Sequence, residues 1–238
     1  MSGMNTDMIT LGIVWYVVFI ISLSFHEAAH AYAAMKLGDR TAFHSGLVSL
    51  HPFAHMAREP VGMILLPIVS YFYNGWMIGW ASTPYDPAWA QRYPKREILM
   101  AMAGPLANLI LVIVAVVTIR LGFAVGFFYA PETITFSNVT EAGHTGWANS
   151  IGVMVSIFFT LNLVLFIFNL LPIPPLDGSS LVPLFLSSES AYRYKELIRQ
   201  PAFSIIGLVI AWQFFGFLFE PVHLFAINHL YPGVSYGH

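Results

Sequence analysis

The chain has 238 residues, of which 57% are hydrophobic and only 9% charged, and its formal net charge is -2. So small a charged fraction excludes an ordinary soluble domain, where roughly a quarter of residues are charged. The near-neutral balance, with no basic tract, excludes a nucleic-acid partner. The absence of cysteine excludes disulfides, iron–sulfur clusters and thiolate metal sites, so a bound metal must be held by His, Asp or Glu.

The N-terminal stretch MSGMNTDMIT has no Lys or Arg ahead of the apolar run and no small-residue cleavage site after it, so the first apolar segment is expected to be retained. That segment covers residues 8 to 35, and Met8 to Phe25 contains no charged side chain, as expected of a membrane span. Continued to Leu37, just before Gly38, it would rise about 45 Å as a helix, more than the roughly 30 Å hydrocarbon core. On its second half lies His26-Glu27-Ala28-Ala29-His30.

Residues 38 to 60 alternate weakly and contain Gly, Pro and three histidines, so a small hairpin or irregular loop is expected. His44, His51 and His55 are read as ordinary polar groups of that hairpin, because no carboxylate accompanies them at ligand spacing. Four further apolar segments follow, at 61 to 82, 98 to 128, 149 to 171 and 201 to 219. Nine of the ten Lys and Arg residues fall into three groups: Lys36, Arg40 and Arg58; Arg92, Lys95 and Arg96; Arg193, Lys195 and Arg199. By the positive-inside rule all three are cytoplasmic, and the 129 to 148 loop and the N-terminus lie outside. Segment 61 to 82 then has two positive flanks. Either it re-enters and leaves by the cytoplasmic face or one flank breaks the rule. Pro67, Asn74 and Gly75 interrupt the run and favour re-entry. The expected fold is thus an all-α polytopic membrane protein of about five apolar helical segments, with residues 1 to 238 forming one membrane-embedded domain and no separate soluble one.

In a helix, His26 and His30 project from one face and can share a metal, with Glu27 beside any activated water. Solvation cannot explain these polar groups at membrane depth, and such residues are functional candidates. A third ligand must come from elsewhere, since catalytic zinc takes three protein ligands and keeps one position open. Asp177 is the best acidic candidate ahead of Glu97 and Glu220, because it follows a proline-broken stretch on the same predicted side. Taken alone, it fits a Leu-Asp-Gly turn equally well.

HEAAH in an apolar helix, Gly104-Pro105-Leu106-Ala107-Asn108, and Asn169-Leu-Leu-Pro-Ile-Pro-Pro-Leu-Asp177-Gly178 together resemble the site-2 protease family of intramembrane zinc metalloproteases. The likeness extends through Gly38-Asp39-Arg40, residues 46 to 52 and Gly79-Trp80-Ala81-Ser82-Thr83-Pro84, and is nearest to compact bacterial members without a PDZ domain. The resemblance implies one zinc ion per chain on His26, His30 and Asp177, with Glu27 activating water. It further implies that Asn169 stabilises the reacting carbonyl and that Asn108 lies near the site. It departs at His55-Met-Ala-Arg-Glu59, where relatives carry a His-x-Asp pair. The implied function is peptide hydrolysis within, or at the cytoplasmic edge of, a substrate's membrane segment. The implied partners are membrane-protein substrates and the lipid bilayer, and the implied location is the bacterial cytoplasmic membrane with the active site toward the cytoplasm. The alternatives are a metal-binding transporter and a catalytically silent scaffold. Transport gives no reason for a glutamate beside both histidines, whereas water activation does.

Overall fold

The computed structural model describes residues 2–143 and 146–237. Its helices are α1 (Ser2–Leu37), α2 (Thr41–His44), α3 (Pro52–Arg58), α4 (Leu66–Asn74), α5 (Pro87–Arg92), α6 (Pro94–Ala124), α7 (Trp147–Asn169), α8 (Ser188–Ile198) and α9 (Pro201–Asn228). Proline supplies the first residue of α3, α5, α6 and α9, where its fixed φ suits a helix start and its missing N–H costs nothing. Among the described residues, four helices are long and apolar enough to cross a membrane: α1 from Met8, α6, α7 and α9.

The segment at 61 to 82 behaves differently. A π-helical turn, Val61–Leu65, leads into α4, and together these 14 residues rise only about 21 Å, too little to span. The chain turns at Gly75, in left-handed geometry, and returns through residues 77–86 without regular secondary structure. The Trp80 N–H meets the Gly62 carbonyl at 3.2 Å, and Arg58 Nε donates to the Ser82 carbonyl at 3.2 Å. Segment 61 to 82 therefore ends beside its own start, as a re-entrant segment must.

The hairpin expected at 38 to 60 is not formed. Residues 41–44 and 52–58 are the short helices α2 and α3, and no strand lies between them. The cause is local: the Asp39 carboxylate accepts from the Thr41 N–H at 2.9 Å and from Thr41 Oγ1 at 2.6 Å, starting α2, and Pro52 starts α3. The two strands described, β1 (Phe128–Tyr129) and β2 (Glu141–Ala142), pair antiparallel in the loop between α6 and α7 instead.

Helices α1, α6 and α7 form the centre of the bundle. Arg96 Nη1 donates to the Leu37 carbonyl at 3.0 Å, so the end of α1 meets the start of α6. Lys195 of α8 is ion-paired with Glu97, which adds α8 to the same end. At the opposite end, Arg120 Nη1 donates to the His229 carbonyl. An apolar cluster of Val112, Ile119, Phe128, Val139, Phe159 and Tyr231 fills that opposite end, and a second, including Trp15, Phe19, Met63 and Ile157, holds the re-entrant segment against α1 and α7.

Candidate metal centre

His26 and His30 lie 11 and 7 residues before the end of α1, roughly 10 to 17 Å along its axis from the end shared with α6 and α8. Both are 6% exposed and Glu27 is 5% exposed. The third carboxylate arrives from the other half of the chain. After Asn169 the prolines at 172, 174 and 175 end α7, and tight turns from Leu171 to Leu176 swing the backbone so that Asp177 opens a 3-10 helix, Asp177–Phe185. Gly178 permits this approach, because a Cβ there would press into the Leu170 and Leu171 carbonyls.

These elements bring three ligand atoms together. His26 Nε2 and His30 Nε2 are 3.0 Å apart, and Asp177 Oδ2 lies 3.2 Å and 3.3 Å from them. The protonation of both rings follows from a chain of hydrogen bonds that begins at a backbone carbonyl. Asn162 Nδ2 donates to the Phe158 carbonyl at 2.8 Å, so its Oδ1 faces Asn108 and accepts from Asn108 Nδ2 at 2.8 Å. Asn108 Oδ1, 2.6 Å from His26 Nδ1, must then be the acceptor of that ring's proton. His30 Nδ1 likewise donates to the Met100 carbonyl at 2.8 Å. A ring that binds a metal is neutral and carries one proton, so with Nδ1 donating in both rings the Nε2 atoms are the ones left to serve as ligands.

Two bare nitrogens and a carboxylate oxygen within 3.3 Å repel one another unless a cation lies between them. Asp177 Oδ2 is buried without a hydrogen-bond donor, as suits an atom reserved for a metal. Around a tetrahedral zinc with bonds of about 2.0–2.1 Å, ligand atoms sit about 3.3–3.4 Å apart, close to the spacing here. The residues present fit that ion. Among the described residues, no other group of three His, Asp or Glu side chains converges this way.

Helix α6 makes the close packing possible. A Cβ on Gly104 would stand 2.6 Å from His26 Nε2 and nearer still to His30 Nε2, so only glycine allows α6 to pass the site. Beside the cluster lies a cavity of about 420 Å³, lined by Glu27, His30 and Asp177 at one end and by Glu97, Lys195 and Arg199 at the other. Glu27 accepts a 2.7 Å hydrogen bond from Thr83 Oγ1 on the returning arm of the re-entrant segment.

Other expected residues fall as follows. Asn108 is fully buried and orients His26 rather than facing the cavity. Asn169 ends α7 and donates through Nδ2 to the Leu165 carbonyl at 3.0 Å. His44 and His51 are exposed, and the buried His55 donates from Nε2 to the Ser49 carbonyl at 2.8 Å. Sequence reasoning missed Asn162, and it gave no role to Thr83 and Asp39 although both lie in stretches that carry the family resemblance. The Asp39 carboxylate also accepts from the Asp86 N–H at 2.8 Å and so ties the end of the re-entrant arm to α1. Burial opposes its ionisation, but the bonds from Thr41 and Asp86 outweigh this and hold its pKa below the ordinary value.

Comparison with known proteins gives a consistent result. The profile of Peptidase family M50 matches residues 14–212. The candidate zinc metalloprotease YwhC of Bacillus subtilis is 35% identical over 167 residues, which cover 70% of this chain and 66% of that protein. Two proteins named as candidate zinc metalloproteases Rip2 are more distant. That of Mycolicibacterium smegmatis is 23% identical over 87% of this chain and 70% of its own length, and that of Mycobacterium tuberculosis 25% identical over 89% and 73%. The chain thus spans about two thirds to three quarters of the relatives it matches. No solved structure matches it.

Proposed function

The chain belongs to peptidase family M50, a family of zinc metallopeptidases, and from that premise we propose that it hydrolyses peptide bonds within, or at the cytoplasmic edge of, the membrane segments of other proteins. The observation that carries this reading is the convergence of His26 Nε2, His30 Nε2 and Asp177 Oδ2 beside Glu27, inside a bundle of helices able to span a membrane.

In this reading His26, His30 and Asp177 hold one zinc. Bound there, zinc supplies Lewis-acid activation of water and of the scissile carbonyl. Glu27, one residue from the first histidine and open to the cavity, takes the proton of the attacking water and passes it to the leaving amine. Asn169 has two amide protons, one donated to Leu165, and is assigned to stabilise the developing oxyanion with the other. Asn108 holds the His26 ring. Lys36, Arg96 and Lys195 gather at one end of the bundle, and the positive-inside rule makes that end cytoplasmic, in the cytoplasmic membrane of a bacterium. The cavity then opens from the site toward the cytoplasm. Membrane proteins with a locally unwound segment are the substrates that such a cavity admits. The arm at residues 77–86, which lies beside the cavity at Ala81, Ser82 and Thr83, is the element beside which such a segment would lie.

Purified protein should contain about one zinc per chain. It should cleave a fluorescein-labelled apolar peptide of about twenty residues, broken in its middle by Asn-Gly. Glu27→Gln should retain zinc while losing roughly 100- to 10,000-fold in rate. Undiminished cleavage by zinc-loaded Glu27→Gln protein, measured by gel and mass spectrometry, would sink the mechanism.

A further inference from the structure

Thr83 belongs to neither the zinc cluster nor the motifs on α1, yet its hydroxyl lies 2.7 Å from Glu27 Oε2 and 3.0 Å from the Glu27 carbonyl oxygen. A threonine hydroxyl carries a single proton. The shorter contact, to the carboxylate oxygen, takes it, because 2.7 Å is the usual O–H···O separation. We propose that Thr83 is a positioning residue for Glu27, fixing one carboxylate oxygen so that the other is presented to the reacting water; this rests on the peptidase reading given above.

Three features suit Thr83 to that task. Its side chain is β-branched and therefore stiff about χ1, whereas the glutamate that it grips has three rotatable side-chain bonds. Its backbone precedes Pro84, which biases it to the extended conformation. Anchors also stand on both sides. The preceding Ser82 is bonded through its hydroxyl to Glu59 and through its carbonyl to Arg58, while the Asp86 N–H, three residues on, is held by Asp39. The hydroxyl is thus placed by the re-entrant segment and not by the helix that carries the base. Thr83 and Glu27 both line the cavity, so a peptide lying along residues 81–83 would touch the element that aims the base.

The test uses the same labelled peptide and compares wild type with Thr83→Val, which keeps the shape and removes the donor, and Thr83→Ser, which keeps the donor. Thr83→Val should retain about one zinc per chain and lose roughly 10- to 100-fold in kcat with KM changed less than about threefold. Thr83→Ser should recover kcat to within about threefold of wild type. In a Glu27→Gln background the valine substitution should add no further loss, because the two act as one unit. Three results would each overturn the assignment: Thr83→Val as fast as wild type, Thr83→Ser as slow as Thr83→Val, or loss of zinc from Thr83→Val. Should valine not be accommodated, Thr83→Ala is held to the same outcomes. Full-rate wild type with inactive Glu27→Gln keeps the peptidase reading intact whatever Thr83 does, so the two failures are told apart.

Discussion

Helix α7 carries two buried polar networks whose starting residues, Ser156 and Asn162, are only six positions apart, and they end differently. At the end away from the site, Ser156 Oγ accepts from the Val139 and Thr140 N–H groups at 2.9 and 3.0 Å and donates to the Gly152 carbonyl at 2.7 Å, while Tyr231 donates to the Val139 carbonyl at 3.1 Å. Each of those donors finishes on a backbone or hydroxyl oxygen, so that network is closed. The other runs from Asn162 through Asn108 to His26 and ends at three bare acceptors. A buried network with every group partnered holds two elements together. One that terminates in three converging ligand atoms is arranged to hold a cation. The contrast separates structure from chemistry within a single helix, and substitutions at the two places should differ in kind.

The largest effect is expected at Gly104. Replacing it by Ala puts a methyl carbon into the space of the His26 and His30 nitrogens, and neither ring can retreat while Asn108 and the Met100 carbonyl hold its far side. Zinc measured by atomic emission should fall from about one per chain to less than about a tenth, and cleavage should vanish with it. Full zinc loading of Gly104→Ala would show that the open network does not need this spacing. Asn108→Ala comes next. It leaves the ligands in place but frees the His26 ring to rotate and to change tautomer, which should weaken zinc about 10- to 100-fold in competition with a chelator. An unchanged affinity would show that the network from Asn162 is structural after all.

Much of the site was legible in sequence because its signals are local or composed of short motifs. HEAAH on an apolar helix specifies one face by spacing alone, whereas Pro-Pro-Leu-Asp-Gly announces only a break in a helix: taken alone Asp177 fits a turn as well as a ligand, and the family resemblance favours the ligand. The four long helices follow from length and apolarity, and Pro67, Asn74 and Gly75, which favour re-entry for 61 to 82 over a full crossing, fall where the structure has a short helix and a turn. The errors and omissions share one physical origin. At 38 to 60 weak alternation suggested strands, but hydrogen bonds of Asp39 to its own neighbours and Pro52 at a helix start decided for short helices. Thr83 meets Glu27 across 56 positions and Asn108 meets Asn162 across 54, and no spacing rule reports such partners. Gly104 could be read as a packing glycine, but what it packs against is known only once the histidines are seen beside it.

The smallest effect sharpens the comparison most. Tyr231→Phe removes one hydroxyl from the closed network, and the ring is 2% exposed, so its packing beside Phe123 should survive. Burial pushes that phenol up to about 12, so it remains a neutral donor at every pH at which the protein would be assayed. Its loss leaves the Val139 carbonyl short of one donor, which costs about 1 kcal/mol and should appear as a small fall in the thermal midpoint in detergent. Zinc affinity and kcat should not move, because nothing in the closed network leads to a ligand. A change in zinc affinity on Tyr231→Phe would mean that the two networks on α7 are coupled through the helix. The distinction between a polar cluster that builds the bundle and one that serves its chemistry would then fail.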